Sequence, residues 1–98
     1  MTRSEFLLAA QRAILGEVTP NVRSVSGDIT EPVISVRYII DGEITEHDRD
    51  RLSCTATEII AATLAPWMLD EQIIRVDQSE PISAHELPLL VYRRHESF

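Results

Sequence analysis

The sequence predicts an α+β fold, a two-layer sandwich in which two helices cover one face of a four-stranded, mainly antiparallel sheet. Two segments have apolar residues at helical spacing behind a capping sequence, and four shorter segments have strand character. Their order along the chain is α-β-β-α-β-β. A length of 98 residues suffices for one hydrophobic core, so we expect a single domain over residues 1–98.

Both predicted helices begin at a threonine cap. Thr2 and Glu5 have the spacing of a capping box, and Gly16 can adopt the left-handed turn that ends this helix. Thr45 is the expected N-cap of the second helix, where acidic residues follow in the first turn. The second helix has an apolar stripe on one side, and Pro66 is expected to end it.

The first strand has the weakest signal of the four. We expect it at residues 22–26, where Ser24 and Ser26 dilute the apolar character. A turn is expected to begin at Gly27 and to run to Pro32, because this stretch has the composition of a loop.

The second strand, residues 33–41, is the clearest element. The apolar residues predicted to face the helices alternate along it: Ile34, Val36, Tyr38 and Ile40. Because two helices cover only one face of four strands, the opposite face is expected to meet solvent or a partner. That open face would carry polar side chains: Ser35 and Arg37, joined by Arg75 and Arg93 from the later strands.

Two further strands are expected in the C-terminal part of the chain. One spans about residues 71–77, after an apolar corner that starts at Trp67, and a loop containing Pro81 follows it. The other spans about residues 89–94. The last residues, 95–98, are expected to fray.

Acidic charge is the most informative feature of the composition. Sixteen acidic residues face nine basic ones, giving a formal net charge of −7. The acids concentrate in two clusters, at residues 41–50 and 70–86. Such a surface suits a basic protein partner and disfavours nucleic acid, whose phosphates require a basic field. The alternative for each acid taken singly is a solubilising role.

Catalysis, metal binding and membrane insertion have little support in the sequence. The three histidines lie far apart, and the three glycines form no phosphate-binding loop. Cys54 has no partner at ligand spacing and is expected to be a buried thiol in the second helix. No apolar run approaches the ~20 residues of a membrane span, and the start lacks the pattern of a signal peptide. We therefore expect a cytoplasmic protein that is not an enzyme and needs no metal or cofactor.

Four stretches resemble a known family: Val36–Asp48, Ala56–Ile60, Asp70–Asp77 and Leu90–Arg94. They are similar to small, acidic bacterial immunity proteins found beside polymorphic toxin genes, as in contact-dependent growth inhibition. The resemblance covers most of the chain, and its motifs are fold-forming patterns without catalytic residues.

The resemblance implies that the protein binds a cognate toxin domain, commonly a nuclease, and covers its basic active-site groove as a phosphate mimic. The predicted contacts are acids of the two clusters: Asp41, Glu43, Glu46, Asp48, Asp70, Glu71, Asp77 and Glu80. The alternative from the residues alone is a self-associating or regulatory module that uses the open sheet face or an edge strand. The expected state is a monomer or homodimer that contacts neither nucleic acid nor membrane.

Overall fold

The computed structural model describes residues 1–63 and 67–96 and confirms the predicted order of elements. The helices are α1 (Arg3–Ile14) and α2 (Glu46–Ala61), and the strands are β1 (Val22–Thr30), β2 (Val33–Ile40), β3 (Met68–Arg75) and β4 (Leu89–Arg93). Pro66, the predicted end of the second helix, lies outside the described residues.

The four strands form one mixed sheet in the order β3-β2-β1-β4. β1 pairs antiparallel with both β2 and β4, whereas β3 runs parallel to β2. α2 connects these two parallel strands, as a parallel pair requires a long crossover. The predicted α+β class with mainly antiparallel pairing is therefore confirmed.

Both predicted caps are present. The Thr2 hydroxyl accepts from the Glu5 backbone N–H at 3.1 Å, and the Glu5 carboxylate accepts from the Thr2 N–H at 3.0 Å. At α2, Thr45 and Asp48 make the same reciprocal pair at 3.0 and 3.1 Å. Gly16 adopts a φ of 78° just after α1, the left-handed conformation predicted for it.

The main core lies between the helices and one face of the sheet. The β2 residues predicted to face the helices are all 0% exposed: Ile34, Val36, Tyr38 and Ile40. They pack against buried helix residues: Phe6, Ala10 and Ala13 of α1 and Leu52, Ala56 and Ile59 of α2. The hydroxyl groups of Tyr38 and Thr55 form a hydrogen bond of 2.5 Å. Burial raises the pKa of Tyr38 to about 12.

α1 packs directly on the backbone of β1 at Gly27. The turn predicted to begin there is wrong, because β1 continues to Thr30. A β-carbon at Gly27 would lie 2.2 Å from Cζ of Phe6 and 2.8 Å from the carbonyl oxygen of Ser35. Glycine is therefore needed at this position for a close approach within the sheet, and not for a turn.

Gly27→Ala is expected to lower the free energy of unfolding by about 1–2 kcal/mol, because the new methyl group overpacks the site of the Phe6 ring. Urea denaturation followed by circular dichroism measures this change. Phe6→Leu in the Gly27→Ala background should restore part of the loss relative to the sum of the single changes, since leucine lacks the ring atoms nearest the methyl group. Wild-type stability in Gly27→Ala would contradict the close packing.

β3 begins earlier than predicted. The sequence favoured residues 71–77, whereas the strand begins at Met68 and ends at Arg75. Two residues of the apolar corner expected before it, Met68 and Leu69, are part of the strand, because they pair with the first residues of β2. Parallel pairing with an already recognised strand thus extends β3 beyond what its own composition indicates.

The connection from β3 to β4 covers the second face of the sheet. These two strands lie at opposite edges, so the connection, residues 76–88 (the crossing segment), must traverse the sheet. Its residues Val76 and Ile82 pack against Ile39 of β2, which points away from the helices. The predicted open face is therefore wrong in this region, because the chain itself covers it.

Polar groups of β1 bind the crossing segment. Oγ of Ser26 accepts from the backbone N–H of Leu87 at 2.9 Å. Oγ of Ser24 donates to the Glu86 carboxylate at 2.5 Å. Both serines are 0% exposed, so the residues that diluted the strand signal are those that hold the second layer in place.

The three arginines predicted for the open face have different positions. Arg37 lies on the covered face and donates to the carbonyl oxygen of His85 at 2.7 Å. Arg93 lies on the same face, in register with β1, and pairs with Glu86. Arg75 is in register with Ile40, one of the helix-facing residues of β2. The prediction that Arg75 lies on the open face is therefore wrong.

Candidate functional site

The second face of the sheet contains a buried arginine that the sequence did not single out. Arg23 of β1 is 0% exposed. Its Nη1 donates at 2.9 Å to three backbone carbonyl oxygens of the crossing segment: those of Val76, Asp77 and Glu80. Its Nε and Nη2 donate to the Glu96 carboxylate at 2.8 and 2.9 Å. Arg23, its carbonyl partners and Glu96 form what we call the Arg23 clamp.

Glu96 ties the C-terminal residues into this clamp. Its carboxylate also accepts from Arg94 at 2.8 Å, and Arg94 in turn donates to Asp41 at 3.3 Å. The hydrogen bond from Arg23 lowers the pKa of Glu96 to about 2, and Arg94 adds to the effect. The predicted fraying is wrong for Glu96, while residues 97–98 lie outside the described part of the chain.

The two acidic clusters of the sequence meet beside the clamp. The backbone N–H of Gly42 donates to the carboxylate of Asp77 at 3.0 Å. The backbone N–H of Gln78 donates to the carboxylate of Asp41 at 3.1 Å. These two bonds fasten the β2–α2 connection to the start of the crossing segment. Asp77 binds the backbone of the 41–50 cluster, and Asp41 binds the backbone of the 70–86 cluster.

Four of the eight predicted contact residues belong to this region, which we call the acidic rim: Asp41, Glu43, Asp77 and Glu80. Arg75 donates to Asp77 at 2.9 Å and lowers the pKa of that carboxyl, helped by the Gly42 N–H. Glu43 lies close enough for its charge to raise the pKa of Arg75 further, after the larger effect of Asp77. Glu43 and Glu80 are exposed.

The other four predicted contacts lie elsewhere: Glu46 and Asp48 in α2, and Asp70 and Glu71 in β3. Glu46 is exposed in the first turn of its helix. Asp70 and Glu71 are exposed, and at ~3.3 Å per strand residue Glu71 lies roughly 20 Å before Asp77. Glu71 accepts from Ser53 of α2 at 2.9 Å. The structure thus brings half of the predicted set together.

Asp48 is buried and stabilises the start of α2. Beyond its capping pair with Thr45, its carboxylate accepts from Asn21 at 3.3 Å and from Arg51 at 3.2 Å. Burial alone would raise the pKa of Asp48, but the hydrogen bonds from Thr45 and Asn21 and the charge of Arg51 outweigh it and lower the pKa. With a residue exposure of 7%, Asp48 positions the helix and presents little surface.

Cys54 is exposed, so its predicted burial is wrong. The buried stripe of α2 runs through Leu52, Thr55, Ala56 and Ile59. At about 100° per residue, a position two after Leu52 points to the opposite side of the helix. The thiol therefore lies on the outer surface of α2.

Arg23 carried no motif that would have identified it. It is a single arginine in a short stretch of valines and serines, and its partners lie more than fifty positions away in the chain. A cleft of about 530 Å³ opens beside it, lined by the crossing segment and the C-terminal residues. The arginines in its wall, Arg23, Arg93 and Arg94, all donate to carboxylates of this chain.

Two further features bear on the kind of site. Of the helices in the described part of the chain, none has the length and apolar character needed to cross a membrane. Among residues 1–63 and 67–96, no three histidine, cysteine or acidic side chains converge as metal ligands would.

The fold and its surface define a small acidic α+β domain in which several arginines pair with acids of the same chain. Five arginines of the described residues form ion pairs with acids of the same chain: Arg23, Arg51, Arg75, Arg93 and Arg94. Exposed carboxylates such as Glu43 and Glu80 then dominate the acidic rim.

The chain belongs to the MafI2 immunity protein family, whose family model matches residues 3–96. No individual curated protein matches it. Family membership confirms the predicted resemblance to immunity proteins of bacterial polymorphic toxin systems and supports an immunity role for this protein.

Proposed function

We propose that this protein neutralises a cognate nuclease toxin by covering the basic active-site groove of that toxin with the acidic rim. The family supports the immunity role. We choose this surface because two hydrogen bonds join the two acidic clusters, one from Gly42 to Asp77 and one from Gln78 to Asp41. A nuclease needs a basic groove for phosphates, and carboxylates offer the complementary charge.

The rim is organised before any partner arrives. Asp41 and Asp77 are restrained by backbone N–H groups and by Arg94 and Arg75, which leaves 27% and 45% of their side chains exposed. Restrained groups lose little conformational entropy on binding, so more of the interaction energy is available for affinity. Glu43 and Glu80 extend the negative charge outward from this restrained base.

The remaining predicted contacts have different proposed roles. Glu46, Asp70 and Glu71 form an outer acidic border that steers the toxin during approach. Asp48 acts through α2, whose start it positions, and not by direct contact. We expect the encounter in the cytoplasm, where the nucleic acids that a nuclease toxin cleaves are found, as in contact-dependent growth inhibition.

Co-expression with the toxin domain encoded by the neighbouring gene tests this function. We expect this protein to restore growth and to co-purify with the toxin domain. The purified toxin domain should cleave RNA or DNA, and this protein should stop cleavage at an equimolar ratio. Failure to restore growth, or the absence of a complex, would overturn the immunity proposal. A bound toxin domain without nuclease activity would overturn only the nuclease assignment.

Charge reversal at the rim is expected to slow toxin binding. The double variant Glu43→Lys/Glu80→Lys should lower the association rate constant about tenfold at low salt, because it reverses the field that steers the encounter. Raising salt from 0.1 to 1 M, which shortens the Debye length from about 10 to about 3 Å, should slow the wild type more than the variant. Stopped-flow mixing with the purified toxin domain measures both effects.

Glu31→Lys/Glu58→Lys is the matched control, because it changes the net charge by the same amount. Glu31 lies in the β1–β2 turn and Glu58 near the end of α2, both exposed and both at the end of the sheet opposite the rim. We expect a much smaller reduction of the association rate constant for this variant. Equal reductions in the two double variants would show that overall charge, and not the rim, guides the toxin.

A further inference from the structure

β3 is an edge strand with an outward-facing row of backbone groups. The N–H of Met68 donates to the carbonyl of Pro32 at 2.7 Å, and the N–H of Val76 donates to that of Ile40 at 3.0 Å. Parallel pairing repeats every two residues, so even-numbered positions bond to β2. The odd-numbered positions direct N–H and C=O away from the sheet: Leu69, Glu71, Ile73 and Arg75.

This edge lacks the backbone features that usually prevent strand addition. Edge strands are commonly protected by shortness, bulges, proline or charged side chains, and of these β3 has only the charges. β4, at the other edge, spans 5 residues and its pairing with β1 is irregular. β3 spans 8 residues, contains no proline and pairs with β2 without a register shift. Such an edge can template an additional strand from a partner.

The charge beside the edge indicates a basic occupant. Asp70 and Glu71 are exposed on β3 itself, and Ser53 of α2 holds the Glu71 carboxylate at 2.9 Å. Asp77 and Glu43 lie past the end of the strand, where Arg75 is engaged by Asp77. A second copy of this chain would bring another molecule of net charge −7 against the same edge, which is electrostatically unfavourable.

We propose that the toxin contributes an extended, basic segment that pairs with β3 as a fifth strand of the sheet. Main-chain hydrogen bonds to Glu71 and Ile73 hold this segment, and the carboxylates of Asp70 and Glu71 select its basic side chains. The inference rests on the proposed function, since the toxin is the occupant, and it extends the contact surface from the acidic rim along β3.

A pair of variants at position 71 separates the backbone contribution from the charge. Glu71→Pro removes the outward N–H, which the bonds to β2 do not use, whereas Glu71→Ala removes the same carboxylate and keeps the N–H. We expect Glu71→Ala to raise the Kd for the toxin domain severalfold and Glu71→Pro to raise it at least tenfold more. Circular dichroism and thermal melting verify that both variants remain folded.

Amide hydrogen exchange in the wild-type protein gives a test that needs no variant. We expect the amides of Glu71 and Ile73 to exchange at least tenfold more slowly in the complex with the toxin domain, because they gain partners. The amides of Asp70 and Gln72 already bond to β2 and should change little. An alternating pattern of protection along β3 is specific to strand pairing.

The outcomes distinguish this inference from the function on which it rests. Equal affinities of the two Glu71 variants, with unchanged exchange at Glu71 and Ile73, would overturn strand addition and leave the rim proposal in place. A wild-type protein that binds no toxin domain would instead overturn the proposed function. A homodimer in light scattering that Glu71→Pro converts to a monomer would assign the edge to a second copy and overturn the proposal.

Discussion

Replacing Arg23 with methionine is expected to lower the free energy of unfolding by about 3–5 kcal/mol, the cost of removing one partner from a buried ion pair. The side chain of Glu96, 7% exposed, would lose its main partner, and three carbonyl oxygens of the crossing segment would lose the hydrogen bonds that Arg23 donates. Methionine fills much of the same volume, so the loss of hydrogen bonds dominates. Urea denaturation followed by circular dichroism measures the effect.

Arg75→Met is the matched control for this experiment. It also removes an arginine that pairs with an acid, but both side chains are largely exposed, at 54% and 45%. Exposed pairs contribute little to stability, so we expect nearly wild-type unfolding. Similar losses in the two variants would mean that the clamp is no more important to stability than a surface ion pair.

Stability is expected to fall steeply in acid because of Glu96. Its pKa is about 2 in the folded protein, below the ordinary value of 4.5, so the folded state favours the ionised carboxylate. The resulting stability is present above pH 4.5 and is lost as the pH falls toward 2. Allowing for solvent screening, the loss is about 2–3 kcal/mol.

Glu96→Gln isolates this contribution from that of the other acids. The variant cannot titrate at this position, so it should be less stable than the wild type near neutral pH. The difference between the two proteins should shrink as the pH falls from 5 to 2.5. Urea denaturation at a series of pH values measures it, and parallel curves for the two proteins would contradict the role of Glu96.

Features with local causes could be predicted from the sequence. The capping pairs at Thr2 and Thr45 depend on residues three positions apart, and both are present. The alternation in β2 correctly identified its helix-facing side, since side-chain direction in a strand follows from spacing alone. These signals suffice for the element order and the main core.

The second face of the sheet could not be predicted, because its partners are distant in the chain. Ser24 and Ser26 have the polarity of solvent-facing residues, yet the crossing segment satisfies and buries both. The local sequence around a serine does not distinguish a solvent-facing position from one that a distant segment covers. Arg23 poses the same difficulty, since a buried arginine depends entirely on long-range acceptors.

The candidate surface was predictable in composition but not in geometry. The clusters around Asp41 and Asp77 were recognised by their charge, whereas the bonds that join them involve backbone N–H groups of Gly42 and Gln78. Asp48 belonged to the same cluster by composition. Its position three residues after Thr45 is the spacing of a capping partner, which is the local signal for its buried, structural role.

The crossing segment also determines when during synthesis this fold can form. A ribosome-bound chain that has reached residue 75 contains both helices and three strands, but Arg23 and Ser24 still lack their partners, which come from residues 76–96. An unpartnered guanidinium opposes burial of the strand that carries it. Asp77 and Glu80 of the rim belong to the same late segment. Folding is therefore expected to finish after translation of these residues, so a nascent chain offers neither a completed second layer nor a completed acidic rim.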